Sequence, residues 1–441
     1  MKVAKNIYLL PLVLAIVAMI ALFPTFANDF QNSWDDQWQL LQNPFIVDHS
    51  YQSILYHFSN FYHGQYSPVN TLAYIAVYKL FGFDPFAFHA MCLWFHVLNV
   101  LLVYFALQYL VRELLPDFSI QRVRVFCFLT TFIFAIHPLQ VESVAWISAS
   151  KVVLYSFFIL IALLSYIKYI KTGSWYWLLL TGFAYILAFG SKEQAIILPL
   201  LLFVIDYGFG RLKGIKINKG FFLKRTILEK IPFFIMAILF WCFSLVNNLG
   251  AIGGGNSYPF YQRLLMSMQS MTEYIFRFIA PVKLYYFYFF PIQKGESLPW
   301  YYLGYAVLVL IIAYFIWEHY KRQNNLIVFG FLFFVVNLFL VLHIIPMPRK
   351  MFTADRYMYL SIVGLAAILV WYIDYLISKY PQYRKFVITS TAIYLMVLGS
   401  HTYIRTKDWQ NSEKIKSNVR ELIEIRKAEG KGIINNPLED E

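Results

Sequence analysis

Ile7-Tyr-Leu-Leu-Pro-Leu-Val-Leu-Ala-Ile-Val-Ala-Met-Ile-Ala-Leu-Phe-Pro-Thr-Phe-Ala27, followed by Asn28-Asp-Phe-Gln-Asn-Ser-Trp34-Asp35-Asp36, decides how this chain is built. The first stretch carries no charged side chain. As a helix rising about 1.5 Å per residue it is long enough to cross a hydrocarbon core of about 30 Å. Comparable runs follow at 86–110, 123–137, 152–170, 175–190, 194–209, 229–247, 300–318, 326–346, 357–377 and 386–403. Their apolar residues are continuous rather than alternating, which is the pattern of spanning helices and not of barrel strands. The 441 residues are 60% hydrophobic, 20% aromatic and only 14% charged, where a soluble domain carries about 25% charge. The expected fold class is an all-α polytopic membrane protein with about 11 transmembrane helices.

Lys2 and Lys5 precede the first run, as they would in a signal peptide. No small-x-small cleavage site appears before Asn28, so the run reads as an uncleaved first span. The three cysteines, Cys92, Cys127 and Cys242, all fall inside apolar runs and have neither zinc spacing nor a disulfide framework. A net charge of +13 could point to nucleic acid. The lysines and arginines cluster in loops between spans, however, as membrane topology requires. No nucleic-acid partner is expected.

The longest basic loop holds Arg211, Lys213, Lys216, Lys219, Lys224 and Arg225 without an acid, which places it in the cytoplasm by the positive-inside rule. The clusters Arg112/Arg122/Arg124, Lys168/Lys171, Lys321/Arg322 and Lys379/Arg384/Lys385 then lie on the same side, with the N-terminus. A transmembrane domain of 1–403 results. Its first outer loop is 28–85 and its second outer excursion is 247–299. A short helical tail, 404–441, is expected on the outer side, its helix running from Trp409 to Lys427 before a disordered end. In the first outer loop, Ser50–Phe61 and Pro68–Leu80 have the spacing of amphipathic helices at a membrane surface. Tyr261–Phe290 is apolar but carries Arg263, Gln269, Glu273, Arg277 and Lys283. It reads as an interfacial or re-entrant helix, or alternatively as a hairpin. Gly253-Gly254-Gly255 reads as a flexible turn.

On this topology the polar motifs gather on the outer face. Asp35 and Asp36 follow the first span. His137-Pro138-x-x-x-Glu142 ends the third, and Lys151 opens the fourth. Lys192-Glu193 joins the fifth to the sixth, and Asp355-Arg356-Tyr357 opens the tenth. Five distant sites on one side converge more easily on a surface pocket than on a path through the bilayer. Transfer of a sugar from a polyprenyl phosphate needs a carboxylate to take the acceptor hydroxyl's proton and fixed cations to hold the departing phosphate. Asp35 or Asp36 fits the first role. Lys192, Arg356, Lys151 and His137 fit the second, with Glu142, Glu193 and Asp355 in support. Each also has a plain reading: a solvated loop start for the acid pair, an interfacial ion pair for Lys192–Glu193, a helix-entry pair for Asp355–Arg356, and a helix end for His137. Asp206 reads as a topological residue, and His89 and His96 as packing. No metal spacing is present, although a divalent ion bridging carboxylate and phosphate is chemically plausible.

Taken together, Phe134-Ala-Ile-His137-Pro138-Leu-Gln-Val-Glu142-Ser-Val-Ala-Trp146-Ile-Ser, Ser191-Lys192-Glu193-x5-Pro199-Leu and Leu200-Leu-Leu-Phe-Val-Ile-Asp206-Tyr207 resemble bacterial relatives of the transmembrane and tetratricopeptide-repeat O-mannosyltransferases. Ala354-Asp355-Arg356-Tyr357-x-Tyr359-Leu360 and Arg405-x-x-Asp408-Trp409-x-Asn411-Ser412 continue the likeness in the same order. The resemblance implies a GT-C fold and a glycosyltransferase that uses a lipid-phosphate sugar. Its acidic motif matches Asp35 and Asp36, its Lys-Glu pair Lys192–Glu193, and its Asp-Arg-Tyr arginine Arg356. Three positions depart from it: Ala149-Ser150-Lys151-Val152 where relatives often read Glu-Arg-Lys-Asp, Cys92 in place of an Asn, and Ser67-Pro68 in place of Arg-Pro or His-Pro. No tetratricopeptide-repeat array is expected after the tail. The expectation is an inverting transferase of the bacterial inner membrane. It would act on the outer face, on an acceptor hydroxyl of a protein Ser/Thr, a glycan or a lipid, with no certain cofactor. The competing readings are a secondary transporter or lipid flippase, and a GT-C scaffold that has lost its activity.

Overall fold

The computed structural model describes residues 9–213, 224–252, 258–345, 351–429, 432–433 and 438. The Gly253–Gly255 turn, Lys216 and Lys219 of the basic loop and most of the final residues lie outside them. The regular elements of the described residues are all helices, and these residues contain no strand, only an isolated bridge between Tyr62 and Gln65.

α1 (Leu9–Leu22) runs into a 3-10 turn, Phe23–Ala27. The first loop then carries three helices, α2 (Pro44–Val47), α3 (Tyr51–Ser59) and α4 (Pro68–Phe81). α3 and α4 stand where the amphipathic spacing places helices. α5 (Pro85–Leu114) is started by Asp84, whose carboxylate accepts the Phe86 N–H at 3.1 Å, and by Pro85 in its first turn. α6 (Ile120–Ile136) ends at His137-Pro138. The chain bends there by 53° into α7 (Val141–Ala145), because a proline cannot continue the hydrogen-bond ladder. α8 (Ser150–Thr172) stops at Gly173, whose φ of +69° gives a left-handed cap bonded to the Tyr169 carbonyl at 2.8 Å. α9 (Trp175–Ser191), α10 (Leu198–Gly208), α11 (Arg225–Leu228), α12 (Ile231–Ile252), α13 (Phe260–Ile279), α14 (Tyr302–Lys321), α15 (Asn325–Leu338), α16 (Ser361–Lys379), α17 (Arg384–Thr406) and α18 (Ser412–Ala428) follow.

Every expected span falls on a helix. Among the described residues seven helices are long and apolar enough to cross a membrane, or eight if the bent pair α6–α7 counts as one. α9 and α15 are shorter apolar helices. α10, of 11 residues, is only about 16 Å long, although the 3-10 turn Glu193–Ile197 extends it. The segment after α13 departs from expectation. The helix stops at Ile279, and 280–300 is irregular. Pro281, Pro291 and Pro299 account for this, since each removes an N–H and disfavours helix in the residue before it.

α1, α5, α6, α8, α15 and α16 form the centre of the bundle. α15 and α16 cross at Gly330 and Gly364, where a Cβ on Gly364 would lie 2.1 Å from the Gly330 carbonyl oxygen. Small residues at such a crossing let two backbones touch, which is how helices gain contact where lipid offers no hydrophobic drive. Within this centre the His96 ring nitrogens are occupied by the Tyr359 hydroxyl at 2.8 Å and the Ala135 carbonyl at 3.1 Å. His96 therefore packs, as read.

The first loop is bound to the bundle at one end. The Tyr74 hydroxyl donates to the Ile147 carbonyl at 2.8 Å and meets the Ser150 hydroxyl at 2.7 Å. α4 lies so close to α9 that a Cβ on Gly190 would meet Val69 Cγ2 at 2.7 Å. The chain after α17 closes over the start of the loop. Gln31 Nε2 donates to the Trp409 carbonyl at 2.8 Å, Asp29 N to the Gln410 carbonyl at 2.8 Å, and Asn28 Nδ2 to the Thr406 carbonyl at 3.1 Å. The Trp409 ring stacks on Trp146 with centroids 5.4 Å apart.

Candidate active site

Asp35 and Asp36 open the short helical turn that leads into Gln37–Leu41, so their side chains leave the backbone in different directions. Asp36 is fully buried. One oxygen accepts the Ser148 N–H at 2.8 Å and the Ser148 hydroxyl at 2.5 Å, and the other accepts the Gln31 N–H at 2.8 Å. Burial pushes its carboxyl up to about 6, against the pull of those donors. Asp36 thus pins the loop to the turn between α7 and α8. Asp35 is half-buried, and its Oδ1 accepts the Trp38 indole N–H at 3.2 Å. It makes no ion pair with Lys151 or Arg356 among the described contacts, but it stands near enough for its charge to be felt at both.

Those two cations line a cavity of about 260 Å³ together with Lys192, Glu193, Gln65, Tyr66, Ser67, Trp241 and Tyr357. Lys151 sits on the first turn of α8 and donates to Gln65 Oε1 and, at 3.4 Å, to Gln39 Oε1. Lys192 lies in extended backbone between α9 and the next turn. Its Nζ stands 5.7 Å from the ring centre of Tyr155 and 5.6 Å from that of Tyr357. Glu193 lines the same cavity. Burial raises its carboxyl to about 7, while Ser244 and the charge of Lys151 pull it down.

Arg356 is held in place by Glu142. One carboxylate oxygen pairs with Nη1 and the other accepts the Arg356 N–H at 2.8 Å. The guanidinium also lies 5.3 Å from the ring centre of Trp146. Burial works to lower its pKa, but the Glu142 carboxylate beside it raises it further, so it stays charged. Asp355, the neighbouring residue, is fully buried and turned away. It accepts from the Tyr288 hydroxyl at 2.8 Å and from Arg405 Nη2 at 2.7 Å, and burial raises its carboxyl despite Arg405. It orients the turn that carries Arg356.

His137 is the one expected phosphate ligand that stands apart. Its Nδ1 accepts the Leu139 N–H at 3.2 Å, and its Nε2 donates to the Phe278 carbonyl at 2.9 Å. Both nitrogens are engaged and the ring is buried against Phe278. It ties the α6 bend to α13 and does not line the cavity. The sequence reading also missed the Gln65-Tyr66-Ser67 wall, Gln39 and Trp241. Ser67-Pro68 stood out as a departure from the resemblance, and it marks the place where the loop reaches the cavity. Among the described residues no group of three His, Cys, Asp or Glu side chains converges as metal ligands would.

What this arrangement does chemically is set by charge. Three cations from three separate elements face one small space, and the half-buried Asp35 lies outside its lining. Such a cluster of fixed cations is suited to an anion. No protein-family model matches the chain. Among curated proteins it is similar to the mouse protein O-mannosyl-transferase TMTC4, with 29% identity over 223 residues that cover 44% of this chain and 29% of that protein. Among solved structures it is similar to the Archaeoglobus fulgidus oligosaccharyltransferase tethered with an acceptor peptide containing the NVT sequon. That likeness has 13% identity and a TM-score of 0.46, and covers 92% of this chain and 55% of the other. It is also similar to ArnT from Cupriavidus metallidurans bound to undecaprenyl phosphate, at 13% identity and a TM-score of 0.43, over 87% of this chain and 63% of the other. The chain therefore spans under a third of the curated relative it matches, and between 55% and 63% of these two structures.

Proposed function

We propose that the chain is a membrane glycosyltransferase that moves a sugar from a polyprenyl-phosphate donor to an acceptor hydroxyl, with inversion. Asp35 takes the hydroxyl proton as the acceptor oxygen attacks the anomeric carbon. The bond from that carbon to the phosphate oxygen breaks, and polyprenyl phosphate leaves with one more negative charge than it carried as donor. Lys151, Lys192 and Arg356 stabilise that growing charge. Asp36 fixes the loop that carries Asp35, and Glu142, Glu193 and Asp355 set the cations. The observation that carries this reading is the meeting of Lys151, Lys192 and Arg356 on one cavity, within reach of the Asp35 charge. The cavity's volume, below the range of about 300–1,000 Å³ usual for larger ligands, suits a single sugar and its phosphate better than a longer glycan. The similarity to an O-mannosyl-transferase supports the same class of reaction.

In this reading the site faces the outer side of a bacterial inner membrane, the N-terminus is cytoplasmic and the tail after α17 is periplasmic. The partners are the bilayer, the lipid-linked sugar and an acceptor protein, glycan or lipid. The test is release of polyprenyl phosphate from candidate lipid-linked sugars by the purified chain and by Asp35→Asn, with and without a chelator. Turnover that Asp35→Asn abolishes while the fold persists supports an enzyme with Asp35 as base. Turnover that Asp35→Asn leaves intact removes the reaction from this loop. Transbilayer movement of the lipid-linked sugar by reconstituted chain, without release of phosphate, favours the flippase reading.

A further inference from the structure

A second recess lies at the same end of the molecule, between α13, the irregular segment 280–291, the outer turn of α14 and α18, and it has a volume of about 730 Å³. It is separated from the cavity of Lys151, Lys192 and Arg356 by the Asp355–Arg356 step. Arg277, which lines the recess, approaches Asp355 Oδ1 at 3.9 Å, and Arg356 lines the cavity. The recess has a pronounced aromatic wall. Tyr301, Tyr302 and Tyr305 stand in series at the start of α14, with successive ring centroids 5.2 and 5.6 Å apart. Tyr285 faces in from the irregular segment. Tyr301 is 53% exposed, so its ring is open to a ligand. Polar groups stand beside these rings. The Gln269 amide donates to Glu273 Oε1 at 2.7 Å, and both residues line the recess.

The charges decide which ligand class fits. The two arginines that line the recess are already engaged. Arg277 pairs with Glu273 at 2.7 Å and donates to Thr353 Oγ1 at 3.1 Å; Arg426 donates to the Phe290 carbonyl at 2.5 Å and the Gly432 carbonyl at 2.7 Å. Lys283 is exposed and stands at the rim. A phosphate would have to draw Arg277 or Arg426 away from these partners. A neutral polyhydroxyl ligand needs no such exchange. Its C–H faces lie on tyrosine rings. Its hydroxyls donate to Gln269 Oε1, which has no hydrogen-bond partner among the described residues, and to the remaining lone pairs of Glu273, and bond to tyrosine hydroxyls, without displacing a contact. The volume falls in the range for a ligand of several rings.

We propose that this recess binds a neutral oligosaccharide, at a site distinct from the cavity of Lys151, Lys192 and Arg356. Binding there needs no glycosyl transfer. Its test is therefore independent of the reading above. The experiment titrates the purified full chain in detergent with short manno-, gluco- and chito-oligosaccharides, following its fluorescence, without a lipid donor. Inorganic phosphate and anionic-lipid vesicles serve as the comparison probes. The expected result is saturable binding of at least one oligosaccharide. Tyr301→Ala or Tyr305→Ala should weaken it about tenfold, which is about 1.4 kcal/mol. Tyr301→Phe, which keeps the ring, should retain it, and so should Asp35→Asn. Binding to none of the three sugar series overturns the proposal. So does binding that only phosphate or vesicles show, or binding that Asp35→Asn abolishes and Tyr301→Ala leaves intact.

Discussion

Asp35 and Asp36 are neighbours in sequence that the fold puts to different uses, and single substitutions should separate them. Asp35→Asn keeps the side chain's shape and its bond to Trp38 but removes the carboxylate proposed as the base. Turnover should fall about 10²–10⁴-fold, with unfolding in detergent changed by no more than about 0.5 kcal/mol. Asp36 should show itself in pH dependence. Its folded carboxyl sits at about 6 against an ordinary 3.8, so the folded state holds a proton that the unfolded chain releases between those values. Its contribution to stability is complete below about 3.8 and is lost as pH rises through 6. The melting temperature of the wild type, relative to Asp36→Asn, should therefore fall between pH 4 and 7. A constant difference over that range would mean that Asp36 is not buried as described. Ser148→Ala removes the hydroxyl at 2.5 Å and should cost about 1–3 kcal/mol, because it leaves the carboxylate short of a donor. The acid pair was legible in the sequence, but the division of labour was not. It depends on Ser148, which is 112 residues away. Glu142 shows the same limit. The sequence marked the residue, and only the fold shows that it grips Arg356, 214 positions on.

The helices were the most legible level, because a membrane span must satisfy its backbone internally and write its length in apolar residues. Every expected run contains a helix, although α10 and α15 fill only part of theirs. The helix expected over Tyr261–Phe290 ends early, at Ile279, because Pro281 outweighs the apolar composition of the irregular segment beyond it. Aromatic residues of that irregular segment pack without helical repeat, and they build one side of the larger recess. Close helix crossings were also illegible, since a lone glycine carries no mark of its partner. Gly364 faces the Gly330 backbone across α15 and α16, with no room for a methyl group. Gly364→Ala should force the two helices apart at a cost of about 1–3 kcal/mol, read as a lower melting temperature in detergent. Ala substitution at Gly304, which has nothing within 4 Å, should leave that temperature unchanged. Equal effects at the two glycines would show that α15 and α16 do not meet at this crossing.

On the scale of the whole molecule, the two ends of the bundle are built for different work. At the Asp35 end, charges line an open cavity and depend on long-range ties. At the other end, Asp206 is not the simple topological residue that its position implied. It is fully buried, paired with Lys230 and with Arg211 at 2.7 Å, and the network continues through Tyr166 to Glu229. Tyr169 donates to the same Glu229 at 2.8 Å. These groups join α8, α10 and the start of α12 on either side of the basic loop. Lys151 and Tyr166 both lie on α8 and are about 22 Å apart along its axis, so the network should govern stability without touching chemistry. Lys230→Met removes a fully buried cation and leaves two carboxylates sharing Arg211. The expected cost is about 3–5 kcal/mol, because an uncompensated buried charge is dearer than a lost pair. Adding Asp206→Asn should recover part of that loss, since it removes the stranded charge. In the molecules that remain folded, release of polyprenyl phosphate per folded chain should match the wild type. Trp409→Ala, which removes the stack on Trp146 and loosens the clasp over the first loop, should do the reverse and lower turnover more than the melting temperature. A Lys230→Met protein that is stable but slow would mean that the two ends are coupled through α8, and that the network is part of the machinery of the reaction.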